Sequence, residues 1–261
     1  MKRLSRVLAI LFMVMFIVGC TQNEKESTKR ESVELTISAA ATLKSALTEV
    51  KALYEEKNDG IKLTLNFGSS GSLQSQIEQG ANVDLFISAG ESQIKALDEK
   101  DLILKNTKTS FVGNKLVVIT LKGNSNITSL ESLKSDEIKN IGMGEMGSVP
   151  AAKTSKEILE IKEAGLWDKL QDKFVYAKDL NQILAYVEAG NADAGFVWDT
   201  IAINSDKVKV AFVPDENKII GMPTAVISAS KHQEEAKEFL EFLKSDDSIE
   251  IFKKYGFSKM E

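Results

Sequence analysis

The 261-residue sequence is poor in three residue types that often carry the chemistry of a functional site. It has one cysteine, Cys20, and one histidine, His232. Its three arginines, Arg3, Arg6 and Arg30, all precede the first predicted strand. An intrachain disulfide is therefore excluded, and any anion that the folded part binds is held without a guanidinium group.

The same scarcity argues against two classes of function. A transition-metal site needs His or Cys ligands, and here only carboxylates remain, scattered over the predicted helix faces. A serine hydrolase needs a base beside its nucleophile, yet His232 stands at the start of the last predicted helix without a charge-relay partner. A serine–lysine mechanism stays open, although no lysine stands three residues after Ser69, Ser70 or Ser72.

The N-terminus has the pattern of an export signal. Three positive charges precede an apolar stretch over residues 7–18, which is too short to span a membrane comfortably. The sequence Ile17-Val18-Gly19-Cys20 then places the cysteine where bacterial lipoproteins carry their acylated cysteine. We predict a signal peptide over residues 1–19, lipidation of Cys20 and a polar tether over residues 20–32. The alternative is a plain buried thiol in the apolar stretch.

Removal of the signal peptide makes the chain more acidic. Residues 1–19 carry three positive charges and no acids, so the formal net charge at pH 7 changes from −5 to −8. Such a chain is a poor partner for nucleic acid, because the phosphates repel it. We expect an extracytoplasmic monomer that is attached to the cell membrane through the lipid on Cys20.

Strand-like and helix-like segments alternate along most of the chain, a pattern typical of parallel sheets covered by helices. Two apolar segments, Phe111–Leu121 and Thr224–Ser228, are predicted to cross from one lobe to another and back. The predicted fold class is therefore α/β, with two mixed sheets flanked by helices and two hinge crossovers. Lobe I is predicted to contain residues 33–112 and 222–261, and lobe II residues 113–221.

Two junctions between a predicted strand and a predicted helix are rich in small residues. Residues 39–42, Ala-Ala-Ala-Thr, follow the strand at Leu35–Ser38. Residues 67–73, Phe-Gly-Ser-Ser-Gly-Ser-Leu, follow the strand at Ile61–Leu65. Small residues there expose backbone N–H groups and hydroxyls at a helix N-terminus, where an anion can bind. Because ligands of open α/β sheets lie at the carboxyl ends of strands, both junctions indicate a ligand cleft, and the alternative for the second is a flexible turn.

Residues 142–147 have the spacing Gly-x-Gly-x-x-Gly, between a predicted strand at Ile138–Ile141 and a predicted helix at Ala151–Lys162. A dinucleotide fingerprint would open a helix directly and be followed by an acid at the end of the next strand. Here Val149-Pro150 intervenes and no such acid follows, so the motif does not predict a cofactor site. Proline at the first helical position instead predicts that the free amide of Ala151 points into the cleft.

A series of segments, in order and at characteristic spacings, carries a resemblance to a known family: Ile37–Leu43, Phe67–Leu73, Gln76–Ala89, Val149–Ala151, Lys178–Leu180 and Ala194–Trp198. Together they resemble the molybdate-binding proteins of molybdate ABC importers. The continuous stretch QIEQGANVDLFISA at Gln76–Ala89 is the most specific part, and the resemblance covers nearly all of residues 33–230.

The resemblance implies a two-lobed fold of the periplasmic-binding-protein type II and a site for a tetrahedral oxyanion. It implies that neutral donors hold the oxyanion, and these fall on Thr42, Ser70, Ala151, Leu180 and Trp198. The first two would donate hydroxyls, and the next two backbone amides. Trp198 stands where the family has a tyrosine, and its indole N–H is also a single donor. The alternative is that Trp198 packs against the hinge with its N–H bonded to a backbone carbonyl.

The resemblance also implies the function: extracytoplasmic binding of molybdate, and also of tungstate, for delivery to an ABC import permease. It implies no enzyme activity, no cofactor, and molybdenum only as the bound oxyanion. A pocket of fixed donors selects by size, because an oxyanion with shorter bonds leaves buried donors unsatisfied. The alternatives are a binder of another tetrahedral oxyanion such as sulfate, and a secreted serine hydrolase.

Overall fold

Alternating strands and helices give the chain a mixed α/β fold, which confirms the fold class predicted from the sequence. The computed structural model describes residues 32–260, so the predicted signal peptide, Cys20 and the tether up to residue 31 lie outside the described residues. The strands are β1 Val33–Ala40, β2 Ile61–Gly68, β3 Leu85–Ile87, β4 Thr109–Leu121, β5 Ile141–Gly144, β6 Phe174–Ala177, β7 Ala194–Trp198, β8 Val208–Phe212, β9 Ile219–Val226 and β10 Ser258–Lys259. The helices are α1 Lys44–Lys57, α2 Ser70–Glu78, α3 Glu91–Asp98, α4 Pro150–Lys162, α5 Leu166–Leu170, α6 Leu180–Glu188, α7 Asp199–Ala202, α8 Gln233–Leu243 and α9 Asp246–Lys254.

The strands hydrogen-bond in the continuous order β2-β1-β3-β9-β4-β7-β5-β6, and β8 and β10 pair with β4. We call β2-β1-β3-β9 the first half of the sheet and β7-β5-β6 the second half. Strand β4 belongs to both, because its residues 109–115 pair with β9 and its residues 116–119 pair with β7. The two sheets predicted from the sequence are therefore joined through one long strand. The predicted lobe boundaries stay a prediction.

Each half of the sheet is covered by helices on both faces. In β3, Leu85 and Ile87 pack with α1, α8 and α9, whereas Phe86 packs on the other face with α2 and α3. In β7, Phe196 packs with α4 and α5, whereas Val197 packs on the other face with α6. Burial on both faces explains why these strands are almost continuously apolar rather than alternating. Within residues 32–260, no helix combines the length and apolar character that a membrane span requires.

Strand direction places two sets of carboxyl ends opposite each other. Strands β1, β2 and β3 are parallel, and β3 is antiparallel to β9, which is antiparallel to β4, so all three run in the direction of β4. Strands β5, β6 and β7 are parallel and run against β4. Since β4 passes from the first half into the second, each set of strands ends toward the other half. We call the ends of β1–β3 the first edge and those of β5–β7 the second edge.

The Gly-x-Gly segment lies in a strand, not in a loop as the sequence analysis had it. Strand β5 begins three residues later than predicted, because the amides of Lys139 and Asn140 donate to the Asp193 carboxylate, at 2.8 and 2.9 Å. Other side chains then lie very close to the backbone of Gly142 and Gly144. A Cβ on Gly142 would lie 2.7 Å from Ile183 Cγ2, and one on Gly144 2.6 Å from Val149 Cβ. These glycines are packing requirements of the strand.

Candidate functional site

The first edge brings Thr42 and Ser70 together. Ala40 and Gly68 are register partners at the ends of β1 and β2, so the residues that follow them lie side by side. Thr42 is exposed in a short 3-10 turn, which Leu43 anchors with a fully buried side chain. Its hydroxyl is therefore open to the space beyond the first edge.

Ser70 is held by a contact that the sequence did not reveal. Its Oγ accepts a hydrogen bond of 2.9 Å from the N–H of Ala89, the second residue after β3. A hydroxyl that accepts one bond still has its own hydrogen to donate, and among residues 32–260 that hydrogen has no acceptor. Ser69 precedes Ser70 as the cap of α2, its Oγ accepting from the Ser72 N–H at 3.3 Å. Ser70 is thus a fixed and available donor.

The second edge brings Ala151, Leu180 and Trp198 together. Gly144 and Ala177 are register partners at the ends of β5 and β6, and the ladder with β7 runs parallel beside them. The N–H of Glu145 donates to the carbonyl of Ala177 at 2.9 Å, and this bond joins the carboxyl ends of β5 and β6. Helices α4, α6 and α7 all start from this edge.

Ala151 is the second residue of α4, behind Pro150, and its side chain is buried. The next amide, of Ala152, turns back to the Val149 carbonyl at 2.9 Å. The Ala151 N–H has no acceptor within the part of the chain that the structure describes. It is one of the free amides that every helix start presents.

Leu180 begins α6, where side chains occupy the neighbouring amides. Asp179 Oδ1 accepts from the Gln182 N–H at 2.9 Å, and Gln182 Oε1 accepts from the Lys178 N–H at 2.8 Å. Gln182 Nε2 in turn donates to the Tyr186 hydroxyl at 2.7 Å. This reciprocal capping leaves the N–H of Leu180 without an acceptor among residues 32–260. The spacing Asp-x-x-Gln was a signal for this cap that the sequence analysis missed.

Trp198 ends β7 opposite Leu116 of β4, and its ring is half-buried against the hydrophobic cluster under α4 and α5. Its Nε1–H makes no hydrogen bond to any group in residues 32–260. The ring therefore packs within the second half, and its donor role stays a prediction. Directly after it, burial raises the pKa of the Asp199 carboxyl to about 6.

The two edges differ in charge. No charged residue occurs in residues 39–43 or 66–72 at the first edge, whereas Glu145, Lys178 and Asp179 flank the second. Every predicted ligand group is a hydrogen-bond donor, and none is a guanidinium. Among the described residues no group of three or more His, Cys, Asp or Glu side chains is arranged to hold a metal ion.

His232 does not lie beside Ser70. Its N–H bonds to Ser230 Oγ at 3.0 Å, and that hydroxyl donates to Asp84, the residue before β3. Ser70 contacts Ala89, which follows the other end of β3. The two side chains therefore belong to opposite ends of one strand, so the structure provides no serine–histidine pair.

Comparison with known proteins identifies a family and several relatives. The model of the bacterial extracellular solute-binding protein family matches residues 35–258. The chain is 42% identical over 260 residues to a Bacillus subtilis (strain 168) protein named "Putative ABC transporter substrate-binding lipoprotein YvgL", and the match covers 98% of each chain. It is 33% identical over 234 residues to the molybdate-binding protein ModA of Haemophilus influenzae, covering 87% of this chain and 91% of that one.

A solved structure is similar over most of the described residues. It is titled "substrate binding domain of putative molybdenum ABC transporter from Clostridium difficile". The TM-score is 0.84 and the sequence identity 46%, and the match covers 88% of this chain and 100% of that one.

Proposed function

The chain belongs to the bacterial extracellular solute-binding protein family, and from that premise we propose that it binds molybdate and delivers it to an ABC import permease. Tungstate, which has the same shape and charge, is proposed as a second ligand. A relative named molybdate-binding protein, 33% identical over 87% of the chain, supports molybdate as the ligand. A relative named as an ABC transporter substrate-binding lipoprotein supports the permease as the partner.

The proposed ligand groups are the hydroxyls of Thr42 and Ser70, the backbone amides of Ala151 and Leu180, and the indole N–H of Trp198. The observation that carries this proposal is that donors without an acceptor among residues 32–260 follow the strands at two facing edges of the sheet. Ser70 is the clearest case, because the Ala89 N–H fixes its oxygen and its own hydrogen has no acceptor among residues 32–260. Such a set fits a fully deprotonated oxyanion, which accepts at every corner.

The same geometry predicts which charge and size of oxyanion the site selects. The N-termini of α4 and α6, which carry the Ala151 and Leu180 amides, direct partial positive charge at the space between the edges, and this stabilises a dianion without a guanidinium group. Sulfate and phosphate have shorter bonds to oxygen than molybdate, so some of the fixed donors would stay unpaired, at about 1 to 3 kcal/mol each. Protonated phosphate would also bring a hydrogen that the two amides and the indole N–H of this set cannot accept.

We further propose that the domain acts outside the cytoplasm as a lipid-anchored monomer, with Cys20 as the acylated residue. The relative with 98% coverage and a lipoprotein name supports this assignment. Replacement of Cys20 by Ser should release the processed protein from the membrane fraction, because each buried methylene of an acyl chain contributes about 0.8 kcal/mol. Membrane retention of the variant would indicate a different anchor.

Catalysis is not part of the proposed function. A serine hydrolase would need a base near Ser70, and the single histidine of the chain lies at the far end of β3. Turnover of an ester that is lost on Ser70→Ala would contradict the proposal.

The test is a calorimetric titration of the mature protein with molybdate, tungstate and sulfate. We expect one-to-one binding of molybdate with sub-micromolar affinity, which is more than about 8 kcal/mol of binding free energy. Sulfate at similar concentrations should give no measurable heat. Equal affinities for sulfate and molybdate would contradict the proposal.

A further inference from the structure

The residue after Trp198, Asp199, carries a half-buried carboxylate that has no place among the proposed ligand groups. Asp199 Oδ1 accepts from the Thr200 N–H at 3.0 Å, and Asp199 Oδ2 accepts from Ser258 Oγ at 3.2 Å. The backbone amide of Lys115 also stabilises this carboxylate. A single side chain therefore gathers groups from α7, β10 and β4.

These partners come from both halves of the molecule. Lys115 precedes Leu116, the register partner of Trp198. Ser258 follows Phe257, which packs in the hydrophobic cluster of the first half, whereas Trp198 packs in that of the second. The Asp199–Ser258 bond thus connects β10, whose neighbour Phe257 packs in the first half, to the end of β7 at Trp198.

The same turn is fixed by two further contacts. Thr200 Oγ1 donates to Asn114 Oδ1 at 2.9 Å, which holds α7 to β4. Gly256 has a φ of +84°, and a Cβ there would lie 3.0 Å from Thr200 Cα. The C-terminal segment therefore passes directly against the turn.

We propose that Asp199 is a positioning residue for the ligand site, because its carboxylate fixes the turn that presents Trp198 between β4 and β10. The inference rests on the proposed function, in which Trp198 is a ligand group. Asp199 acts through Trp198 and touches no ligand. The ionised carboxylate accepts from both the Thr200 N–H and the Ser258 hydroxyl. In the protonated carboxyl group, one oxygen becomes a donor and an acceptor is lost. Protonation should therefore loosen the turn.

The charge of Asp199 changes in an accessible pH range. Desolvation raises its pKa to about 6, against the lowering effects of the Lys115 and Thr200 amides, the Ser258 hydroxyl and the Lys115 charge. The Lys115 ammonium is itself paired with Glu216 at 3.1 Å. Asp199 therefore changes charge between pH 5 and 7.5.

The sign of each effect follows. The folded-state pKa of Asp199 lies above its ordinary value, so the proton favours the folded state and stability falls as pH rises through about 6. The ionised form is the one that fixes Trp198, so affinity for molybdate falls as pH decreases through the same range. Acidification from pH 7.5 to 5 should stabilise the fold and weaken the binding. A purely structural role would change the stability alone and leave the affinity the same at every pH.

The experiment measures molybdate affinity and thermal stability of the mature protein from pH 7.5 to 5. In the parent we expect a loss of affinity of about fivefold, the equivalent of one hydrogen bond, with a midpoint near pH 6. Asp199→Asn should bind weakly at every pH, with no midpoint. Ser258→Ala, a milder change, removes a bond that lowers the pKa of Asp199 and should move the midpoint to higher pH.

Asp193→Asn is the matched control. It lies at the opposite end of β7, and its carboxylate likewise accepts two backbone amides, from Lys139 and Asn140. It should lower stability and leave the pH profile of binding as in the parent. If the parent binds molybdate but its affinity is flat or rises on acidification, or if Asp199→Asn keeps the parental profile, the positioning role is wrong. If the parent does not bind molybdate, the proposed function itself is wrong.

Discussion

The two halves of the molecule build their edges in the same way up to the last step. In each, a helix ends in a glycine with positive φ, Gly80 at +87° and Gly190 at +73°. An aspartate then precedes the next strand, β3 or β7, and its carboxylate accepts from a backbone amide of a neighbouring segment. Asp84 accepts from the Thr36 N–H at 2.7 Å, and Asp193 from the Lys139 N–H at 2.8 Å. The shared device fixes the amino ends of β3 and β7, so that the opposite ends are free to differ.

The halves differ in what they present. The first edge offers side-chain hydroxyls from Thr42 and Ser70, and residues 39–43 and 66–72 around them carry no charge. The second offers backbone amides of Ala151 and Leu180 with an indole, and Asp179 and Asp199 flank them. Hydroxyl donors depend on the identity of a residue, whereas amide donors depend only on the path of the chain. Point substitutions should therefore weaken binding more at the first edge than at the second, unless a substitution at the second edge removes an amide.

The largest effect should come from placing a charge on the first edge. Ser70→Asp should abolish molybdate binding, because a carboxylate beside a dianion is repelled and can no longer donate. Ser75→Asp is the control, since Ser75 is exposed on the same helix one turn further on and should leave binding measurable. Calorimetry on both variants makes the comparison. Binding by Ser70→Asp would show that the first edge is not the site.

The second edge should respond to loss of an amide and ignore loss of a side chain. Leu180→Pro removes the N–H at the first position of α6, where proline fits, and Asp179 before it is already extended, with φ −153° and ψ 168°. We expect a loss of about 2 to 3 kcal/mol in binding free energy, the range for a bond to a charged group. Leu180→Ala keeps the amide and should bind nearly as the parent does. Equal losses in both variants would mean that the side chain matters and the amide does not.

Part of this architecture could be predicted from the sequence. Alternating segments predicted the α/β class, and small residues after two strands predicted a ligand cleft at those junctions. Thr42 and Ser70 as ligand groups came from the resemblance. Pro150 at a helix start predicted the free amide of Ala151. The amide of Leu180 came from the resemblance alone, because most main-chain donors leave no mark on residue identity. The support from Ala89 and the bond between Asp199 and Ser258 were missed, since both join residues far apart in sequence.

Strand β5 shows the other limit. Glycines ordinarily indicate a loop, and the sequence analysis ended the strand before Gly142. Here the strand continues through the glycines because α6 and the segment before α4 approach too closely for side chains. That approach is a property of tertiary packing, which no local pattern records.

Loss of a single hydroxyl should cost less than loss of an amide at a helix start. Thr42→Val keeps the shape and removes the donor, and should weaken binding by about 1 to 2 kcal/mol. Thr42→Ser restores the hydroxyl and should bind close to the parent. Thr42 is exposed, so thermal stability should stay the same in both variants. Ser70→Ala should weaken binding similarly but also lower stability, because the Ala89 N–H loses its acceptor.

The smallest effect should come from Trp198, which is the one side-chain donor of the second edge. Its ring is half-buried, so water can replace part of what it offers, and Trp198→Phe should cost about 1 kcal/mol of binding free energy. Trp198→Tyr keeps a single donor on an aromatic ring and should largely preserve the affinity. In a Trp167→Phe background, Trp198 is the only tryptophan, and its emission should change when molybdate binds. If Trp198→Phe binds as tightly as the parent, the second edge uses backbone amides alone and Trp198 is a packing residue, and the contrast between the two edges is then complete.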